Sequence, residues 1–243
     1  MKMTRRHKRI ALWTACALCL AAAALVYTRV FYQRANPSEE EYPVRGIDIS
    51  AHNGDVDFSR LAREGKVQFA YVKATEGTDF ADRNFIRNVT GLTREGIPVG
   101  AYHFFRFDTD GEMQAWNFIS AMRGRDLTLR PAIDVEEWAN ASEPTTPQIM
   151  KQLRAMIAVL RAEGHDPLIY TNKDGYRRFV KGKLDDHNLW ICSFTDPPIG
   201  QDRPIHLWQY THRGSLPGLS GPVDLNAAPS LTPLLASTGD QCH

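Results

Sequence analysis

Residues 130–138 read RPAIDVEEW: a proline, then the β-forming alternation Ala132-Ile133-Asp134-Val135-Glu136. In a strand, residues two apart project to one face, so Asp134 and Glu136 go one way and Ile133 and Val135 the other. The apolar face needs a covering layer, and the flanks supply it. Upstream, Asp110 to Met122 sets Met113, Trp116, Phe118 and Ile119 along a helical stripe. Downstream, Thr146 to Ala162 opens on Thr146-Pro147, turns Ile149, Leu153, Met156, Ile157 and Leu160 inward and stops before Gly164.

The alternation of strand and helix continues outward. Arg45 to Ser50, Gln68 to Ala74, Pro98 to Phe105 and Leu168 to Thr171 read as strands, and Asp57 to Glu64, Asp82 to Glu95 and Lys173 to Val180 as helices. Leu189 to Ser193, Ile205 to Tyr210 and Pro222 to Leu225 are short strands joined by loops rich in Gly and Pro. The pattern predicts an α/β fold, a modified TIM-like barrel of (β/α)5 followed by three β-strands. An open doubly wound sheet is the alternative, but no Gly-rich phosphate loop follows the first strand. In a barrel, function gathers at the C-terminal ends of strands. Polar residues fall there: Asp48, Lys73 and Glu76, Tyr102 and His103, Asp134 and Glu136, Tyr170 and Asn172, Gln209 and Tyr210, Asp224 and Asn226.

The chain of 243 residues, 43% hydrophobic and 23% charged, suits one sizeable domain. A formal net charge of +1 gives no electrostatic case for nucleic acid. The N-terminus differs: Lys2, Arg5, Arg6, Lys8 and Arg9 precede an apolar run from Ile10 to Tyr27, the order of an export signal. Residues 1–32 therefore read as a single-pass anchor in the cytoplasmic membrane with the domain outside the cytoplasm. The alternative is secretion after cleavage near Ala22-Ala23-Ala24. Residues 33–43 read as a linker, 44–230 as the barrel and 231–243 as a C-terminal tail. Cys16 and Cys19 fall in the apolar run; a Cys192–Cys242 disulfide is permitted by compartment but not implied. No paired-cysteine metal spacing is present.

Two carboxyls on one strand face cannot both ionise cheaply, so one stays protonated toward neutral pH. A protonated carboxyl beside an ionised one equips a site for glycosidic bond cleavage. On this motif alone, a solvated strand end or a divalent metal site remains open.

GIDIS with His52-Asn53-Gly54, YVKATEG at Tyr71 to Gly77, GIPVGAYHFF at Gly96 to Phe105, AIDVE at Ala132 to Glu136, IYTN at Ile169 to Asn172, LWQY at Leu207 to Tyr210 and VDLN at Val223 to Asn226 follow in order. Together they resemble glycoside hydrolase family 25, the lysozymes that cut the β-1,4 bond between N-acetylmuramic acid and N-acetylglucosamine in peptidoglycan. The resemblance implies the (β/α)5 barrel with three trailing strands and a catalytic set of Asp48, Asp134, Glu136 and Asp224. It makes Glu136 the general acid and Asp134 the residue that assists the substrate's N-acetyl group; the spacing of the pair does not choose between retaining and inverting geometries, and neighbouring-group participation would give net retention. It implies peptidoglycan glycan strands as partner, a monomer, and no metal or organic cofactor.

The remaining candidates carry alternatives. Asp48 and Asp224 either raise the pKa of Glu136 by like charge or sit in ion pairs and loop caps. Tyr102 and Tyr170 either hold sugar groups or pack as core aromatics. Trp138 is placed to stack on a sugar ring, and Trp208 either does the same or packs. His103 is expected to hydrogen-bond beneath the site, Lys73 and Glu76 to form a structural pair, and Glu137 to point away. Competing functions are a silent peptidoglycan-binding scaffold and a hydrolase of a related N-acetylglucosamine polymer.

Overall fold

The computed structural model describes residues 6, 13–14, 16–23, 35–140, 142–195 and 203–236. Its strands are β1 (Val44–Ile49), β2 (Phe69–Glu76), β3 (Phe80–Ala81), β4 (Val99–Phe104), β5 (Ala132–Asp134), β6 (Leu168–Asn172), β7 (Leu189–Cys192), β8 (Leu207–Gly214) and β9 (Val223–Ala228). Four helices alternate with them: α1 (Phe58–Glu64), α2 (Phe85–Arg94), α3 (Gly111–Met122) and α4 (Thr146–Ala162). A helical stretch, Lys173–Gly175 continued by a π turn at Tyr176–Val180, follows β6. β1 pairs with both β2 and β9, which closes eight strands into a barrel, while β3, absent from the sequence reading, forms a hairpin on β2.

Barrel neighbours run parallel except at β9, which is antiparallel to β8 and to β1. A parallel return needs a crossover of a dozen or more residues, whereas the loop after Gly214 reaches Val223 without a helix. The start of β9 therefore lies at the same end of the barrel as the C-terminal ends of the other strands.

The alternation seen in the sequence sorts two cores. Inside the barrel lie Phe69, Tyr71, Leu129, Leu168, Tyr170, Trp190, Leu207 and Leu234; outside it, Val89, Leu92, Phe118, Leu153 and Leu160 seat the helices on the sheet. Each such buried side chain contributes about 1.5–3 kcal/mol relative to exposure. Gly100 is required by the inner layer, because a Cβ there would lie 2.4 Å from the Tyr71 ring. Gly96 and Gly164 end α2 and α4 at φ of 74° and 88°, as expected of residues past a helix C-terminus.

Both ends of the barrel chain depart from expectation. The presumed linker is described from Ala35 and lies on the outer wall of the strands that lack helices: the Ala35 N–H donates to the Phe194 carbonyl (3.0 Å), Arg45 Nη2 donates to the Pro37 carbonyl (2.7 Å), and Tyr42 meets Trp208 edge-on at 5.4 Å. It takes the place of a covering helix. Residues 231–236 are likewise no loose tail. Leu234 plugs the floor, its carbonyl accepts from the Arg130 N–H (2.8 Å), and the Ala236 N–H donates to the Thr128 carbonyl (3.0 Å). Residues 237–243, with Cys242, lie outside the described residues.

The expected transmembrane segment is also corrected in part. Among the described residues no helix is long and apolar enough to cross a membrane. Residues 13–14 and 16–23 are helical, and the rest of the run from Ile10 to Tyr27 lies outside the described residues.

Candidate active site

A cleft of about 700 Å³ opens at the barrel mouth, lined by Asp48, Tyr102, Asp134, Glu136, Trp138, Tyr170, Trp190, Gln209 and Asp224 among others. All four predicted carboxylates thus meet in one cavity. β5 ends at Asp134, but the Val135 N–H still bonds to the Tyr170 carbonyl (2.9 Å) and Thr171 Oγ1 to the Val135 carbonyl (2.7 Å). These bonds keep the backbone extended, so Asp134 and Glu136 share the inward side as the i, i+2 rule requires. Asn140 fixes the turn beyond, its Nδ2 donating to the Glu136 carbonyl (2.8 Å) and the Phe105 carbonyl (3.0 Å).

The two acids differ in what surrounds them. Glu136 Oε2 accepts from Trp138 Nε1 (2.6 Å) and Oε1 from Asn172 Nδ2 (3.2 Å). Asn172 is itself held, its Oδ1 accepting the Asp174 and Gly175 N–H groups that open the following helix. Burial raises the pKa of Glu136, and the two donors pull against that rise. Asp134 Oδ1 is buried with no hydrogen-bond partner. Its pKa stands well above the usual carboxylate range, first because of burial and next because of the Glu136 charge, with Lys73 opposing. The rise is the greater at Asp134, since only Glu136 has side-chain donors that favour its anion.

Opposite them, Asp48 and Asp224 pair in register across β1 and β9 and share a hydrogen bond. Asp48 Oδ2 also accepts from Asn226 Nδ2 (2.7 Å) and Gln209 Nε2 (3.0 Å). Burial and the Asp48 charge push Asp224 up to about 8; burial raises Asp48 as well, with Asn226 and Gln209 pulling against that rise.

The other candidates separate. Tyr170 lines the cleft and donates to Gln209 Oε1 (3.0 Å), while Tyr102 lines it with a phenol kept protonated by burial and by Asp48 and Asp134. Trp138 is two-thirds exposed on the rim, where an aromatic face can meet a ligand. Trp208 is not a cleft residue: it is 1% exposed, turned outward, and its Nε1 donates to the Ser193 carbonyl (2.7 Å). The indole inside is Trp190, which the sequence reading did not single out for the site. His103 sits behind β4, accepting from Thr75 at Nδ1 (2.8 Å) and donating through Nε2 to Gln114 (3.1 Å), with burial lowering its pKa to about 4. It is a neutral structural group. Lys73 pairs with Glu76 (2.7 Å) and Glu137 with Arg178 (2.7 Å), and neither pair lines the cleft.

Phe194, 40% exposed, and His212 meet at a tilt with ring centroids 4.5 Å apart and line the cleft beside Lys173. No sequence pattern pointed to them, because they leave the ends of different strands. Among the described residues no group of three or more His, Cys, Asp or Glu is arranged to hold a metal ion.

This architecture recurs in known proteins. A family 25 glycosyl hydrolase structure from Bacillus anthracis superposes with a TM-score of 0.75 at 31% identity, covering 84% of this chain and 97% of that one. Lysozyme M1 of Streptomyces globisporus is 32% identical over 75% of this chain and 67% of its own length. YegX, an uncharacterized protein of Escherichia coli K12, is 28% identical over 76% and 69% respectively. The sequence model of the glycosyl hydrolases family 25 matches residues 47–219, a span containing Asp48, Asp134 and Glu136, and the chain belongs to that family of glycoside hydrolases.

Proposed function

We propose that this chain is a muramidase that hydrolyses the β-1,4 bond between N-acetylmuramic acid and N-acetylglucosamine in peptidoglycan outside the cytoplasm. The observation that carries the reading is the asymmetry of the acid pair: Glu136 held by Trp138 and Asn172, and Asp134 Oδ1 buried without a partner. An orphaned carboxylate oxygen in a cleft costs about 1–3 kcal/mol, which a substrate donor would recover. The acetamido N–H of an N-acetyl sugar is such a donor. Once it bonds to Asp134, the anion is favoured there and the proton moves to Glu136. Glu136 then protonates the leaving glycosidic oxygen while the acetamido oxygen attacks the anomeric carbon, and Asp134 stabilises the positive ring so formed. Glu136, now ionised, takes a proton from the water that reopens the ring at the same face, so configuration is retained. Tyr102 and Tyr170 border the reacting sugar and Trp138 its neighbour. One chain supplies every group named, so the reaction needs no second copy.

The basic cluster and apolar run at the N-terminus support delivery across the cytoplasmic membrane, by anchor or by cleaved signal. The reading is tested by incubating the full chain with purified peptidoglycan and analysing released fragments by mass spectrometry. Fragments with muramic acid at the new reducing end, absent with Glu136→Gln, are expected. Sedimentation with the wall but no fragments would make the chain a binder, and faster cleavage of chitin oligomers would change the substrate.

A further inference from the structure

Gln209 and Asn226 are buried, and both amides converge on a single oxygen, Asp48 Oδ2. The Asn226 amide is not free to turn over. The carbonyl of Asn226 accepts from Trp190 Nε1 (2.8 Å), and an indole N–H can only donate. The carbonyl of Gln209 accepts from the Tyr170 hydroxyl (3.0 Å). The Asn226 NH2 must therefore face Asp48, and the Gln209 NH2 faces it with the Tyr170 hydroxyl donating from behind. Two N–H donors on one carboxylate oxygen favour the anion, which leaves Asp224 as the partner that keeps the proton.

Resting on the muramidase reading, we propose that Gln209 and Asn226 are positioning residues of the reaction, locking Asp48 as the permanent anion and acceptor of a protonated Asp224. The paired carboxyls then present one fixed negative charge and one fixed proton to the cleft. A single charge facing Glu136 keeps its carboxyl able to hold a proton; two charges would repel it from ionising again after protonation of the leaving group, and none would leave it a weak proton holder. The groups that face Asp48 across the cleft are Tyr102 on β4, Asp134 and Glu136 after β5, Tyr170 on β6, Cys192 on β7 and Asp224 on β9. Lys73 on β2 reaches Asp134, and Asp82 after β3 is bonded to the Ala51 N–H (2.9 Å). Apart from Asp224, none of these is bonded to Asp48, so among the described residues no other side chain takes the place of the two amides.

The test uses the full chain and soluble peptidoglycan strands, measuring kcat and KM from about pH 4 to about pH 9, the range in which carboxyl acid–base catalysis is read. Asn226→Asp and Gln209→Glu keep shape and the Trp190 or Tyr170 bond but exchange the donor for a carboxylate. Once protonated, that carboxyl donates to Asp48 again. Both variants are therefore expected to lose at least about tenfold in kcat at neutral pH with KM little changed, and to recover on acidification, their optima displaced toward acid. Asn226→Ala is expected to lose a similar factor at every pH without recovery. Thermal melting alongside separates folding from positioning. Asn226→Asp and Gln209→Glu profiles that run parallel to the wild type, whatever their absolute loss, would overturn the inference. A wild type that releases no fragments would instead overturn the muramidase reading on which it rests.

Discussion

Trp138 Nε1 donates a 2.6 Å hydrogen bond to Glu136 Oε2, two residues back along the chain. The indole that stands exposed on the rim is thus also a stabiliser of the Glu136 anion. Releasing that bond favours the protonated form, the reactive one in the proposed mechanism. Trp138→Phe keeps the aromatic face and removes the donor, so the Glu136 pKa rises. The alkaline limb of kcat/KM is expected to move to higher pH, with affinity for glycan strands largely kept. An unmoved limb would show that the bond is already broken when substrate is bound.

Asp224 links stability to pH. Its folded pKa of about 8 exceeds the unfolded value of about 3.9. A carboxyl raised in the folded state binds a proton that the unfolded chain has lost, so its contribution is full below the unfolded pKa and disappears as pH rises through the folded one. Melting temperature is expected to fall between about pH 4 and about pH 8, and Asp224→Asn, which retains a donor to Asp48, is expected to flatten that decline. Equal slopes in the two proteins would place the proton elsewhere.

Phe194 and His212 form an aromatic wall beside the acids. A sugar ring stacked there gains dispersion and CH–π contact without touching the chemistry. Phe194→Ala is expected to raise KM about three- to tenfold with kcat nearly unchanged, the size of one lost aromatic contact. A fall in kcat alone would mean that Phe194 supports the acids instead.

The segment ahead of β1 shields Trp208 through Tyr42. A chain beginning at Ala35 is expected to melt with the full chain, and one beginning at Val44 several degrees lower, as loss of about 1–2 kcal/mol in a domain of this size implies. Identical melting of the two would make the segment a passive linker.

The sequence made the barrel and its acids readable because both rest on local periodicity: alternation set Asp134 and Glu136 on one face, and helical spacing placed α2, α3 and α4. The two Leu-Trp dipeptides show where local reading stops. Trp190 and Trp208 sit in similar apolar strands, yet Trp190 pairs with Leu207 and Ile191 with Trp208. That one-residue offset turns one indole into the barrel and the other out. Register is a property of paired strands, and neither strand alone contains it. The same holds for residues 35–43, polar enough to read as linker. Their role arises because β8 lacks a helix, a fact written elsewhere in the chain.

The Ala35–Phe194 bond has a directional consequence. Phe194 borders the cleft, so the polypeptide reaches the domain beside its opening, descends the outer wall, and begins β1 at the opposite pole. It departs at that lower pole too, where Ala236 bonds to Thr128. A force applied through residues 1–34 would therefore be felt at the rim of the cleft, and cargo fused beyond Ala236 would hang from the blind end, clear of the opening.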